Sequence, residues 1–363
     1  MSKLLTSTAA LALITTIGAA QAQQVVNIYN WSDYIAEDTL ANFTAATGIA
    51  TNYDVYDSND TLEARMLAGS SGFDVTVPTG NFLQRQIAAG VYQPLNRELL
   101  PNWGNMDPQL MALAESFDAG NTHSVVYMWG TTGIGYNVDA IRERLGADYV
   151  VNSWSLIFDP EIAGRLADCG IAWLDDHTEL LPPALRYIGK DPLSVETADL
   201  EAAVEMLLQA RPTVRYFHSS QYISDLANGE ICVAVGYSGD VLQAQMRAEE
   251  AGNGVDIGYA IPDEGANLWF DLMAIPSDAP HPEAAHAFIN YMMDAQVAAN
   301  NTNYVAYANA NAASVPMIDA EVLDNPSIYP SAAARANFWT LIPHDSRTDR
   351  VVTRLWTRLR TGQ

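Results

Sequence analysis

Apolar and polar positions alternate along this chain in two rhythms, a period of two and a period near 3.6. Val25-Val26-Asn27-Ile28-Tyr29 reads as a strand, and residues 37–47 then repeat at helical spacing until Gly48 stops them. The exchange recurs as a strand over 49–56, a helix over 61–68, a strand over 73–77 and a helix over 82–89 closed by Gly90. A second block starts near Gly133-Ile134-Gly135-Tyr136-Asn137, with helices over 195–210 and 219–228 and a strand over 231–235. Strands over 255–261 and 268–274 come next. The stretch 282–295 is a helix with Ala285, Phe288, Ile289 and Met292 on one face, and an Arg-rich helix covers 349–360. Strands alternating with short helices predict βαβ units, an α/β fold and a parallel sheet with ligands at the carboxyl ends of its strands.

The first 22 residues fall outside that pattern. Lys3 precedes an apolar run of small residues ending in Ala20-Gln21-Ala22, the small-x-small signature of a cleaved export signal. Threonines and serines interrupt the run, and it is short for a membrane anchor. The chain beyond Ala22 exceeds the size at which a single core stops growing, so two lobes are expected. In an oxidising compartment Cys169 and Cys232 read as one disulfide, the alternative being two buried thiols. The formal charge of −25 excludes nucleic acid and anionic membranes as partners. It favours a cationic ligand only weakly, because an acidic surface also keeps a protein soluble.

Enzymatic constellations are missing. There is no Gly-x-Ser-x-Gly elbow, the six histidines are scattered without a His-Glu-x-x-His, and Gly133-Ile134-Gly135 lacks the third glycine of a dinucleotide loop. Asp57-Ser58-Asn59-Asp60 lacks the glycine and terminal glutamate of a calcium loop and reads as a solvated turn. No enzyme activity, cofactor or metal is expected.

Aromatic residues instead recur beside carboxylates and hydroxyls: Trp31-Ser32-Asp33-Tyr34, Gly236-Tyr237-Ser238-Gly239-Asp240 and Trp269-Phe270-Asp271. Singly, each reads as a core aromatic beside a helix cap. Together they suit an aliphatic diammonium. Its charged ends need carboxylates once buried, and its methylenes and ammonium groups suit aromatic faces.

Tyr29-Asn30-Trp31-Ser32-Asp33-Tyr34-Ile35 resembles the opening of the periplasmic putrescine- and spermidine-binding receptors of ABC importers. The resemblance continues through residues 68–74, 127–137, 215–223, 226–234, 307–311 and 325–330, covering nearly the whole exported chain. It implies a two-lobed periplasmic binding protein of type II, with the ligand cleft between lobes. Residues 23–130 and 250–303 would form the N-terminal lobe, and 131–249 and 304–363 the C-terminal lobe. It implies that Trp31 and Tyr34 wall the cleft. Ser32 and Asp33 would receive one amine with Glu179, and Asp240 and Asp271 another, with Trp269 and Tyr307 stacking along the chain and Thr79 supplying a hydroxyl. The Cys169–Cys232 bridge fits the same relatives. The implied partners are a polyamine and importer permease subunits, and the implied state is a periplasmic monomer.

The pattern departs from the putrescine receptors at Tyr237, where they commonly carry Trp, and at Trp269, where they often carry Phe. Asp176 stands where spermidine receptors carry an acid, and Asn81 fits neither kind. Trp269 and Asp176 tilt the expectation toward spermidine, with Asp176 serving a third amine. Competing readings are a receptor for agmatine or an amino acid and a polyamine sensor subunit. No arginine in the cleft motifs is placed to hold an amino acid carboxylate.

Overall fold

The computed structural model describes residues 24–363, so the expected signal over 1–22 lies outside the described residues. The strands Val25–Trp31 (β1), Ala50–Tyr56 (β2) and Val75–Thr76 (β3) run parallel, with β1 in the middle. The helix between β1 and β2 ends where expected: Gly48 adopts a left-handed φ of 74°, and its N–H returns to the carbonyl of Thr44.

Ser124–Asn137 (β4) is a single 14-residue strand, and it organises the molecule. The remaining strands are Ile171–Trp173 (β5), Val214–Phe217 (β6), Val233–Tyr237 (β7), Ile257–Ala260 (β8), Leu268–Ala274 (β9) and Ala308–Asn309 (β10). Among the described residues the order is β2-β1-β3-β9-β4-β7-β5-β6, with β8 and β10 also on β4. The first part of β4, through Thr131, pairs with β9 and β10, and the rest, from Thr132, pairs with β7 and β8. The strand therefore leaves one lobe and enters the other without a break.

Two buried clusters match the two halves. The first holds Val26, Phe43, Val75, Trp129, Phe270 and Phe288. The second holds Ile134, Trp154, Trp173, Leu207, Val235 and Leu355. They divide the chain differently from the expected boundaries at Leu242, which packs in the first core, and in two further stretches. Ile257 packs in the second core because β8 extends the second half of β4. Tyr307, Ala308, Ala310 and Ile328 pack in the first because β10 pairs with the first half.

Three features were not legible as elements. Residues 124–132 form a strand buried throughout on both faces and apolar over 125–129, without the alternation that marks a half-exposed one. β4 pairs antiparallel with β7, β8 and β9. The pairing arises from direction: β4 leaves the first lobe, whereas β9 carries the chain back into it. The helix His177–Tyr187 contains Pro182 and Pro183. They break the helical pattern in sequence and leave the carbonyls of Thr178 and Glu179 without their helical donors.

Cys169 and Cys232 form a disulfide with a Cα–Cα distance of 5.5 Å across a separation of 63 residues, joining the approaches to β5 and β7. Closing so long a loop stabilises by about 4 kcal/mol in the chain-entropy treatment. Replacing both cysteines by serine is expected to lower the unfolding free energy by about 3–4 kcal/mol in urea titrations. A change within about 0.5 kcal/mol would show that the second core holds these strands unaided.

Candidate functional site

The carboxyl ends of β1 and β2, the amino-terminal end of β9 and the loops after β3 and β7 converge between the two cores. They line a cavity with about 490 Å³ of empty space, its opening to solvent included. Trp31, Ser32, Tyr34, Thr79, Trp269, Asp271 and Tyr307 line it from the first lobe, and Glu179, Tyr237 and Asp240 from the second. Trp31 is anchored by Nε1 donating to the carbonyl of Val77 (2.9 Å), with its ring 4.7 Å from that of Tyr56. Trp269 meets the rings of Tyr237 and Tyr307 at 5.7 and 5.4 Å, both edge-on. Glycine makes these contacts possible. A Cβ on Gly130 would lie 2.7 Å from the Trp269 ring, and one on Gly239 would lie 2.5 Å from the Tyr307 ring.

Three carboxyl groups face this space, Asp271 and Glu179 buried and Asp240 partly so, and each is held by hydroxyl or amide donors. Asp271 accepts from Thr79 Oγ1 (2.7 Å) and Tyr34 Oη (2.9 Å). Asp240 accepts from Tyr307 Oη (2.6 Å) and Tyr222 Oη (2.8 Å). Glu179 accepts from Thr132 Oγ1 (2.6 Å) and Asn267 Nδ2 (3.0 and 3.1 Å). Burial disfavours their charged forms, and among the described residues no basic side chain lines the cavity to neutralise them. Asp240 is pushed up to about 6 by burial, and Asp271 to about 7 by burial with the Asp240 charge adding to it. Glu179 is pushed up to about 8, by burial first and then by Asp176. In all three the donors pull the other way. Burial holds Tyr34, Tyr237 and Tyr307 well above the usual phenol value, so they remain O–H groups.

The structure brings all the anticipated residues to this cavity except Asp33 and Asp176. Asp33 takes a left-handed φ of 55°, and its carboxylate pairs with Arg247 of the second lobe at 2.7 Å. Asp176 caps the helix His177–Tyr187, accepting from the backbone N–H of Thr178 at 2.8 Å. Asp57, Asn59, Ser219 and Ser220 also line the cavity. Asn59 lies in the stretch that read as a solvated turn, yet it is buried and donates to Thr79 Oγ1 at 3.0 Å. No local pattern marks Asn59. Ser219 and Ser220 fall inside a motif of the resemblance, but nothing in their immediate sequence gives them a role.

A family model described as bacterial extracellular solute-binding protein matches residues 38–330. The chain belongs to that family. It is thus a solute-binding receptor rather than an enzyme, and its place is outside the cytoplasm. It is 49% identical over 353 residues, 97% of the chain and 95% of the relative, to the putrescine-binding periplasmic protein PotF of Escherichia coli. It is 50% identical over 348 residues, 95% of each, to the putrescine-binding periplasmic protein SpuD of Pseudomonas aeruginosa. Among solved structures, the spermidine/putrescine ABC transporter substrate-binding protein PotD of Streptococcus pneumoniae superposes with a TM-score of 0.76. That likeness has 26% identity and covers 93% of this chain and 99% of that one. The two-lobed α/β fold is that of these receptors.

The raised carboxyls make stability depend on pH. A carboxyl with a raised folded-state pKa stabilises the fold below its unfolded value and loses that contribution as pH climbs through its folded value. For Asp271 the window runs from the ordinary carboxylate range to about 7. Asp271→Asn removes the dependence. Relative to wild type, the ligand-free variant is expected to gain about 3 kcal/mol between pH 4.5 and pH 8 in urea unfolding. An equal difference at both pH values would show that Asp271 is not held protonated by burial.

Proposed function

We propose that this receptor captures a linear aliphatic diamine of the putrescine class and delivers it to the permease of an ABC importer. One observation carries the reading. A partly buried and a fully buried carboxyl from opposite lobes, Asp240 and Asp271, face an aromatic-walled cavity whose lining, among the described residues, includes Glu179 and no basic side chain. A diammonium supplies the missing positive charge at both ends and apolar methylenes for the rings between them. A ligand bearing a carboxylate would meet like charge on every side, which disfavours an amino acid. The relatives near 50% identity, both named for putrescine, support the same ligand class. Asp176 caps a helix and is not among the residues that line the cavity, so the third amine of spermidine lacks there the acceptor that the sequence suggested for it. The reading accordingly favours the diamine.

Titration calorimetry on the exported chain tests this. Putrescine is expected to bind more tightly than spermidine and to be recovered unchanged. Asp240→Asn should weaken putrescine by about 100-fold or more, since one ammonium loses its buried counter-charge. Glu201→Gln, on an exposed helix face beside Arg354, should leave binding within about twofold. Equal losses from both variants would mean that only the overall acidic field matters.

Binding should also be coupled to protons. An ammonium requires its carboxylates ionised, so affinity falls as pH drops through about 8, 7 and 6, the values for Glu179, Asp271 and Asp240. Each group that must first lose a proton weakens binding about tenfold per pH unit below its own value. Putrescine affinity is expected to drop at least about tenfold from pH 8 to pH 5. Calorimetry at pH 7 in buffers of different ionisation enthalpy should register proton release. A flat pH profile would contradict the buried-carboxyl account.

A further inference from the structure

Behind the cavity, outside its lining, lies Asn267, whose exposure is 1%. Its Nδ2 donates to Oε1 of Glu179 at 3.0 Å and to Oε2 at 3.1 Å. Thr132 Oγ1 donates to the same Oε2 at 2.6 Å. Glu179 stands in the first turn of the helix His177–Tyr187, in the second lobe.

Asn267 also sits where three stretches of chain pass between the lobes. The first crossing is β4, and the N–H of Thr132 donates to the Asn267 carbonyl at 3.2 Å. The second is the run from β8 to β9 that contains Asn267 itself. The third comes after Trp339, which bridges to Asn267 and whose carbonyl accepts from Leu268 at 2.8 Å. Beyond it the chain enters the helix Ser346–Thr361, which packs in the second core. One amide side chain thus links the junction of the lobes to a carboxyl group of the cavity.

We propose that Asn267 is a positioning residue: it holds Glu179 as the carboxylate that an ammonium requires and ties that carboxylate to the three crossings. What Glu179 is for rests on the diamine reading, whereas the bond network does not.

The electrostatics favour this role. Burial and the charges of Asp176 and Asp271 all push the Glu179 proton on, and only the Thr132 and Asn267 donors oppose them. Tyr237, at the end of β7, and Tyr259, of β8, also face Glu179 and bring no positive charge. The Asn267 Oδ1 is buried and has no hydrogen-bond partner among the described residues. Polar atoms left in that state are uncommon and call for a reason. A carboxamide offers one. Nδ2 serves the carboxylate, and a half-turn of the amide presents Oδ1 to the O–H of the protonated acid. The same side chain can therefore accompany Glu179 through loss of its proton when an amine arrives.

The test reads Glu179 directly, with no ligand present. Carbon-13 NMR of the glutamate carboxyls is tracked from pH 5 to pH 10, and the Glu179 signal is identified by its loss in Glu179→Gln. In Asn267→Leu the Glu179 midpoint is expected to rise by at least about half a unit above wild type. The pH midpoint for putrescine affinity should rise with it. Asn267→Ser, which replaces the amide with a shorter hydroxyl donor, should give a lesser rise and covers failure of the leucine variant to fold. A merely structural role would weaken putrescine equally at every pH. An unchanged or lowered Glu179 midpoint in a variant with native circular dichroism overturns the proposal. Absence of putrescine binding to wild type would sink the diamine reading instead, and the NMR midpoint would still judge Asn267.

Discussion

Strand β4 belongs to both hydrophobic cores, and the rest of the molecule is arranged by that fact. Its first part packs beside β9 and β10, and its last residues beside β7 and β8. A strand shared in this way fixes where the lobes meet, because the change of partners falls between Thr131 and Thr132. It also limits what can lie next to it. Gly130 gives way to the Trp269 ring, and Gly133 to the backbone of Ala260 and the ring of Tyr259. The cavity opens beside this change of partners, so its walls come from two independently packed bodies.

Electrostatics then determines what such a cavity can hold. Carboxyl groups removed from water are stable only when protonated or compensated. Here the compensation is partial. Hydroxyls of Thr79, Tyr34, Tyr222, Tyr307 and Thr132 donate to the three carboxyls, and among the described residues no cationic side chain lines the space. The site is left short of positive charge by the neutrality of its donors rather than by the net charge of the surface. Asp33, which does find a cation in Arg247, stands at the exposed margin, where such pairs are worth little.

Local patterning made part of this visible. Period-two and period-3.6 runs located most strands and helices of the first lobe to within a few residues, since those elements are half-exposed and alternate. Leu268–Ala274 was legible for its whole length. β4 was legible only from Gly133, because a strand buried on both sides has no alternation to read. The helix carrying Glu179 was hidden by Pro182 and Pro183. For the site, aromatic residues beside acids at Trp31, Tyr237 and Trp269 were the useful signal. Asn59, Ser219, Ser220 and Asn267 carried none, because a small polar residue near a turn looks the same whether it faces water or a buried carboxyl.

The sequence by itself determined the α/β alternation, the presence of two lobes and the chemistry of a cation site, because composition and periodicity constrain local geometry and the types of side chain available. It could not determine partners across long separations. Asp33 and Asp240 are both acids beside aromatics, and only the fold sends one to Arg247 at the margin and the other to Tyr222 and Tyr307 at the cavity. Likewise Asp176 and Glu179 lie three residues apart. The start of a helix turns the first into a cap and the second into the cavity. Those assignments depend on which backbone donors and which charges arrive from residues scores of positions away, and tertiary structure alone brings them there.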